Sequence, residues 1–165
     1  MPAWTESLEL AKTWVAEGFM VFGRSLKHTR GNDIVGPGHK DWAKRDFWVK
    51  FIESECEWRQ HIFDGKAIRR GLKVQMEPPK RKLLVRSRSN GWYIDYGTKV
   101  EPPANLRDIS RRAVKAIGSL YGAVDVLVGV DGKCYVLEVN LAPSLRDENT
   151  LAAYVNAIRR KYATS

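Results

Sequence analysis

Asp125, Glu138 and Asn140 are the residues whose types and spacing most directly suggest chemistry. They lie within YGAVDVLVGVDGKCYVLEVNLAPSL, residues 121–145, where two apolar runs, Ala123–Val130 and Lys133–Val139, flank Asp131-Gly132. An Asp-Gly pair between such runs predicts a hairpin with a two-residue type I′ turn. That turn pairs Val130 with Lys133 and, counting back, Asp125 with Glu138. Alternation then puts Asp125, Leu127, Glu138 and Asn140 on one face and Val124, Val126, Leu137 and Val139 on the other. Directly opposed carboxylates repel, and among aliphatic strands they also carry a desolvation cost. A shared proton or a divalent cation relieves both; acids left in water on a surface hairpin are the plainer alternative. Two carboxylates and an amide form a hard, all-oxygen set suited to Mg2+ or Mn2+, with phosphates completing the shell.

A second Asp-Gly hairpin, Glu55–Phe63 with Lys66–Gln75 around Asp64-Gly65, offers cations. Ideal register puts Arg59 opposite Arg70 and Glu57 opposite Leu72. Two opposed guanidinium groups call for an anion, which Glu57 supplies only in part. Lys73 falls on the far face unless a bulge or a shifted turn intervenes. Earlier, a strand over Phe19–Phe22 runs into Arg24 and a polar loop containing Gly31, an arrangement that can fold over phosphates. Basic loops of this kind are more often simply solvated. Later, Arg86-Ser87-Arg88-Ser89-Asn90 follows a short strand expected at Leu83–Val85.

The positioning elements read as follows. Thr5 and Gly18 bound a first helix, and FWVKFI at Phe47–Ile52 reads as a buried strand. Trp92–Tyr96 is a partly covered segment. Asn105 caps a helix running to about Leu120, with Leu106, Ile109, Ala113, Ala116, Ile117 and Leu120 as its apolar stripe. Leu151–Tyr162 closes the chain.

The bulk properties narrow the classes. A chain of 165 residues that is 44% hydrophobic can bury one core, divided at most into two lobes. No apolar run is long enough to span a bilayer, and the N-terminus does not read as a secretory signal. Cys56 and Cys134 lack CxxC spacing, which suits buried thiols in a reducing cytoplasm. The net charge of +9 fits nucleic acid, an anionic surface or a polyphosphate ligand. Aromatic residues do not alternate with the basic ones as on a single-strand-binding platform. Nucleic-acid binding therefore enters mainly as a way of docking a substrate. No Lys-x-Asp-Gly nucleophile is present, so a covalent nucleotidyltransferase is excluded.

The ordered set of motifs resembles the ATP-grasp carboxylate–amine ligases. D125…E138-V-N140-x-x-P143 is similar to their metal-binding hairpin, in particular that of the branch containing the ribosomal-protein glutamate ligase RimK and related phage-encoded proteins. Where that family usually reads Pro-Gly-Leu after the Asn, this chain reads Pro143-Ser144-Leu145. The resemblance implies an α+β fold of two lobes, each with an antiparallel sheet and packed helices, and a nucleotide cleft between them. It places the smaller lobe at residues 1–50 and the larger at 51–165.

The same resemblance implies roles. Asp125, Glu138 and Asn140 would hold Mg2+ or Mn2+. The hinge Lys50, Phe51 and Ile52 would meet adenine through its backbone, and Glu57 the ribose. Arg24 and Lys73 would contact phosphates, as would Arg88 and Asn90 of the Arg-Ser-Asn triplet. Arg88 and Arg59 are the candidate catalytic cations, Arg88 stabilising charge on the transferring phosphoryl group and the tetrahedral intermediate, and Arg59 holding a phosphate or the acyl substrate. The implied partners are ATP and an amino-acid, peptide or protein acceptor, in a bacterial or phage-infected cytoplasm. Family members usually place a further α/β subdomain before the helix that begins near Thr5. The expectation is thus of the two clamping lobes without that part, as a ligase or, alternatively, as a non-catalytic fragment or basic nucleic-acid- or protein-binding module.

Overall fold

Ser7 starts the first helix: its Oγ accepts the Leu10 N–H at 3.3 Å, and α1 runs Leu8–Ala16. Thr5, the expected cap, sits instead in a two-residue strand, β1 (Trp4–Thr5), and its hydroxyl accepts the Ser7 N–H. Gly18, at φ 88°, ends the helix as expected, because the left-handed conformation there costs glycine little. A computed structural model describes residues 1–27, 34–76 and 86–163, excluding the side chain of Ser89. Gly31 and the strand expected at Leu83–Val85 lie outside the described residues.

The described residues form two compact units, 1–53 with 86–91 and 54–76 with 92–163. In the first, β2 (Val21–Arg24) and β3 (Phe47–Lys50) pair antiparallel and β1 adds to β3, giving the order β1-β3-β2. Ala11, Val21, Trp42 and Trp48 make its core, with Leu8, Trp14 and Val15 of α1 packed against it. Both buried indoles are satisfied: Trp42 Nε1 donates to the Val21 carbonyl at 3.0 Å and Trp48 Nε1 to the Trp42 carbonyl at 3.2 Å.

The second unit is a five-stranded antiparallel sheet in the order β6-β5-β4-β7-β8. Its strands are β4 (Ser54–Phe63), β5 (Lys66–Gln75), β6 (Trp92–Asp95), β7 (Tyr121–Gly129) and β8 (Cys134–Asn140). Helix α2 (Leu106–Ala116) covers one face. There Trp58, Ile62, Val124, Val126 and Val128 pack with Leu106 and Val114 into the main core. Gly118, at φ 67°, ends α2 before the expected stripe is complete, so Ile117 and Leu120 are exposed. Helix α3 (Glu148–Tyr162) docks on the other face near the β4–β5 turn, where Tyr154 and Ala157 meet Phe63. No helix of the described residues is long and apolar enough to cross a membrane.

The two Asp-Gly turns differ. Asp64 and Gly65, at φ 50° and 68°, make the expected two-residue turn, and Phe63 pairs with Lys66. At the other hairpin Gly129, not Val130, pairs with Lys133: the Gly129 N–H donates to the Lys133 carbonyl at 2.9 Å. The loop is therefore Val130-Asp131-Gly132, with positive φ at Gly132 alone. Asp131 stabilises this three-residue form, its Oδ1 accepting the Lys133 N–H at 3.0 Å.

Each hairpin also carries a bulge. Ile62 pairs with Ala67 but His61 with Arg69, so Ile68 is the extra residue on β5. Val126 pairs with Val136 but Asp125 with Glu138, so Leu137 is extra on β8 and 40% exposed, and Val136 takes its expected place against the core. Bulges of this kind shift register by one residue and turn the following side chains over.

The Ile68 bulge leaves Gly71 facing Arg59. A Cβ at Gly71 would collide with the Ile94 and Tyr96 side chains and the Asp95 carbonyl. We expect Gly71→Ala to destabilise the chain by about 1–3 kcal/mol, the usual cost of overpacking. Urea unfolding measures it, and an unchanged midpoint would contradict this packing.

Candidate functional site

The face of the second sheet opposite α2 is lined by charge. From β4 come Glu57, Arg59 and His61; from β7, Asp125; from β5, Arg69 and Lys73; from β8, Glu138 and Asn140. Their common side follows from pairing: Arg59 stands opposite Asp125, Asp125 opposite Glu138, and His61 opposite Arg69. The Asp125–Glu138 pairing expected from sequence is thus present, although by a different route. A three-residue turn removes one step of register and the Leu137 bulge restores it.

Asp125 is held by a buried, two-pronged ion pair. Arg59 Nε donates to Oδ1 at 2.6 Å and Nη2 to Oδ2 at 2.7 Å, with the side chains 18% and 6% exposed. Such bidentate, charge-assisted contacts are among the strongest hydrogen bonds a protein makes. Burial alone would lower the pKa of Arg59, but the hydrogen bonds and charge of Asp125, with Tyr96 and Glu138 adding to them, raise it instead. The guanidinium is therefore permanently charged. Lys73 completes a chain of alternating charge, donating to Glu57 Oε1 and standing 3.9 Å from Asp125 Oδ2.

This geometry corrects the expected arginine pair. Arg59 faces Gly71 across β5 and Arg70 faces Gln60, because the Ile68 bulge moves every later residue by one. The anion that Arg59 requires is the chain's own Asp125. The same bulge brings Lys73 onto the face of Glu57, as its expected role required.

The donors fit a hard dication in kind. Asp125 and Glu138 are opposed carboxylates, Glu138 is exposed, and Asn140 adds an amide oxygen, which also accepts the Ala142 N–H at 2.8 Å. Among the described residues no three Asp, Glu, His or Cys side chains form a ready-made metal cage. Any cation here would need further oxygens from its ligands.

The other expected site residues belong to the first unit. Arg24 ends β2, its guanidinium 5.8 Å from the Phe47 ring centroid. The chain after it is braced by Asp46, whose Oδ2 accepts the Leu26 N–H at 2.7 Å, and by Arg45, which donates to Ser25 Oγ at 3.0 Å. The Lys50 ammonium sits 3.3 Å from the Phe19 ring centroid and 4.8 Å from that of Trp14, a cation–π contact. At the expected hinge the Lys50 N–H donates to the Ala3 carbonyl and the Phe51 N–H to the Met20 carbonyl, so both donors are already used. Ile52 follows, half-buried. Arg88 and Asn90 lie in a single 3-10 turn, closed by the Gly91 N–H on the Arg88 carbonyl at 3.1 Å.

Sequence reasoning missed the polar network beside the ion pair. His61 is fully buried, with Nδ1 3.1 Å from the Tyr154 hydroxyl and Nε2 2.9 Å from that of Tyr96. Arg69 lies against the Tyr96 ring and donates to Thr150 Oγ1 at 2.9 Å and Asp147 Oδ1 at 3.0 Å. Asp147 also caps α3 through the Thr150 N–H. The available signal was the period-two series Glu57, Arg59, His61, which marks a charged face on a strand whose other face carries Trp58 and Ile62.

No family model matches the chain. Solved structures of ATP-grasp ligases share its fold. PsnB, complexed with a phosphomimetic variant of minimal precursor, Mg and ADP, superposes with a TM-score of 0.67 at 20% identity, over 97% of this chain and 53% of that one. A RiPP-associated ATP-grasp ligase of Chryseobacterium gregarium, in complex with ADP and a leader and core peptide, gives 0.65 at 15% identity, over 98% and 55%. D-alanine–D-alanine ligase from Bacillus anthracis, complexed with ATP, gives 0.63 at 20% identity, over 100% and 62%. The α+β fold is therefore the ATP-grasp fold. This chain spans between half and two thirds of the length of these three proteins.

Burial pushes the His61 pKa down from 6.5 to about 4, with the nearby Arg59 charge acting the same way. The unfolded chain therefore binds a proton at His61 between those values while the folded chain does not. Folding stability must fall as pH drops from 6.5 toward 4, by up to about 3 kcal/mol from this group. Urea denaturation across that range should show the gap between wild type and His61→Gln shrinking as pH falls. A gap independent of pH would contradict a neutral, buried His61.

Proposed function

We propose that this chain binds Mg-ATP and takes part in ATP-dependent carboxylate–amine ligation. The observation that carries the reading is the Asp125–Glu138 pair, set on a face of alternating acids and bases in a sheet of ATP-grasp topology. The carboxylate oxygen of one substrate attacks the γ-phosphorus, ADP leaves, and an acyl-phosphate forms. The acceptor amine then attacks the acyl carbon, phosphate departs, and a C–N bond replaces the mixed anhydride. Chemistry of this kind calls mainly for positioning and charge neutralisation.

Asp125, Glu138 and Asn140 would hold Mg2+, or Mn2+ in its place, which when bound supplies positive charge at the phosphates. Glu57 orients the ribose, and Lys73 and Arg24 meet phosphate oxygens. Lys50, Phe51 and Ile52 form the adenine hinge. Arg88 and Arg59, with Asn90 beside Arg88, neutralise charge on the transferring group. The lobes of the clamp divide near residue 50. The RimK-like branch, and with it a cytoplasmic setting, is favoured by the E138-V-N140 and R88-S89-N90 motifs. A peptide acceptor is favoured by the peptides bound to PsnB and to the Chryseobacterium gregarium ligase.

The test is nucleotide affinity with and without Mg2+, followed by ADP release across a panel of amino acids and peptides. Asp125→Asn and Glu138→Gln should each weaken Mg2+-dependent ATP binding by more than about tenfold, since even residues that only support metal ligands cost that much. ATP binding that ignores both substitutions would remove the reading. Tight Mg-ATP binding with no ADP release from any acceptor would make the chain a nucleotide-binding protein and not a ligase.

A further inference from the structure

Asp125 is asked to serve two cations. As a metal ligand it must present carboxylate oxygens to a dication, yet both are engaged by Arg59, at 2.6 and 2.7 Å, in a pair largely shut off from water. Each carboxylate oxygen keeps a second lone pair, so geometry alone does not forbid joint occupancy. Charge does. A guanidinium and a dication sharing one poorly solvated carboxylate repel strongly, with Lys73 only 3.9 Å away on the same side.

We propose that Arg59 is the resident counter-ion of the metal site, held on Asp125 until a divalent cation displaces it. This rests on the reading of Asp125 as a metal ligand. Without the metal, Arg59 and Lys73 offset Asp125 and Glu57, which makes two buried acids tolerable. When the metal is present, Arg59 gives up Asp125 and becomes a cation in search of an anion on the same face. Nucleotide phosphates supply one. Metal and nucleotide then bind cooperatively through Arg59, because each pays part of the cost of moving it, and such coupling is reciprocal. Arg59 therefore opposes metal binding when the nucleotide is absent and couples the two when it is present.

Free Mn2+, followed by its EPR signal in titrations of the full chain, tests this without any turnover. Arg59→Met should bind Mn2+ at least about tenfold more tightly than wild type, about 1.4 kcal/mol, in the absence of nucleotide. Its further gain on adding ADP should be smaller than that of wild type. Arg59→Lys keeps the charge with a single donor group, tightens Mn2+ binding less, and serves if the methionine variant fails to fold. Mn2+ affinity in either folded variant that equals or falls below wild type, while Asp125→Asn abolishes binding, would overturn the counter-ion role alone. Unchanged Mn2+ affinity in Asp125→Asn would overturn the ligand reading on which it rests.

Discussion

The bidentate contact between Arg59 and Asp125 is the interaction on which the second unit depends. Asp125 is one of the few acids in a strand whose neighbours are aliphatic, and an unpaired carboxylate there would be costly. Arg59 meets it from the next strand, with both side chains on the same face because their backbones are directly paired. Glu57 and Lys73 repeat the arrangement one step along. The opposite face is mainly apolar, with buried Gln60 satisfied by the Arg69 carbonyl, and α2 closes over it with Leu106 and Val114. Charge pairing on one side and hydrophobic burial on the other are thus two results of one alternation.

Around this pair the chain adds a neutral polar layer. His61 lies two residues beyond Arg59 on the same face and is held between the hydroxyls of Tyr96 and Tyr154. A second cation so close to Arg59 would be repelled, which is one reason His61 stays uncharged. Burial also pushes the Tyr154 pKa up to about 12, so that hydroxyl keeps its proton and remains available as a hydrogen-bond donor. Through Arg69, Thr150 and Asp147 the layer continues to the start of α3. The docking of that helix and the electrostatics of the charged face are therefore parts of one network.

Much of this was legible in the sequence, for identifiable reasons. The Asp-Gly pairs marked both hairpins, and the runs flanking them gave the strands β4, β5, β7 and β8 to within two residues. The α+β fold followed from the order of the motifs. What could not be read was the local count of residues. Whether Asp-Gly makes a two- or three-residue loop depends on whether the Asp side chain binds its own backbone, as Asp131 does. Bulges at Ile68 and Leu137 leave no compositional mark, because an extra aliphatic residue looks like any other. For that reason Arg59 was paired with Arg70, and the Asp125–Glu138 pairing emerged from two compensating offsets. His61 was overlooked because its partners Tyr96 and Tyr154 are distant in sequence, and Tyr154 reaches it only once α3 has docked.

Ile68 packs with Phe63, Tyr154 and Ala157, yet the side of the sheet on which the charged groups fall is decided by its being left unpaired. Changing its identity alters a little packing near Phe63. Pairing it into the ladder would flip Arg70 and Lys73 across the sheet together, sending one cation into the oily layer and leaving Glu57 without its own, whereas removing it would leave the pairing as it is. The chemistry of this face is thus a matter of parity, fixed by leaving one residue of β5 out of the count between the turn and Arg69.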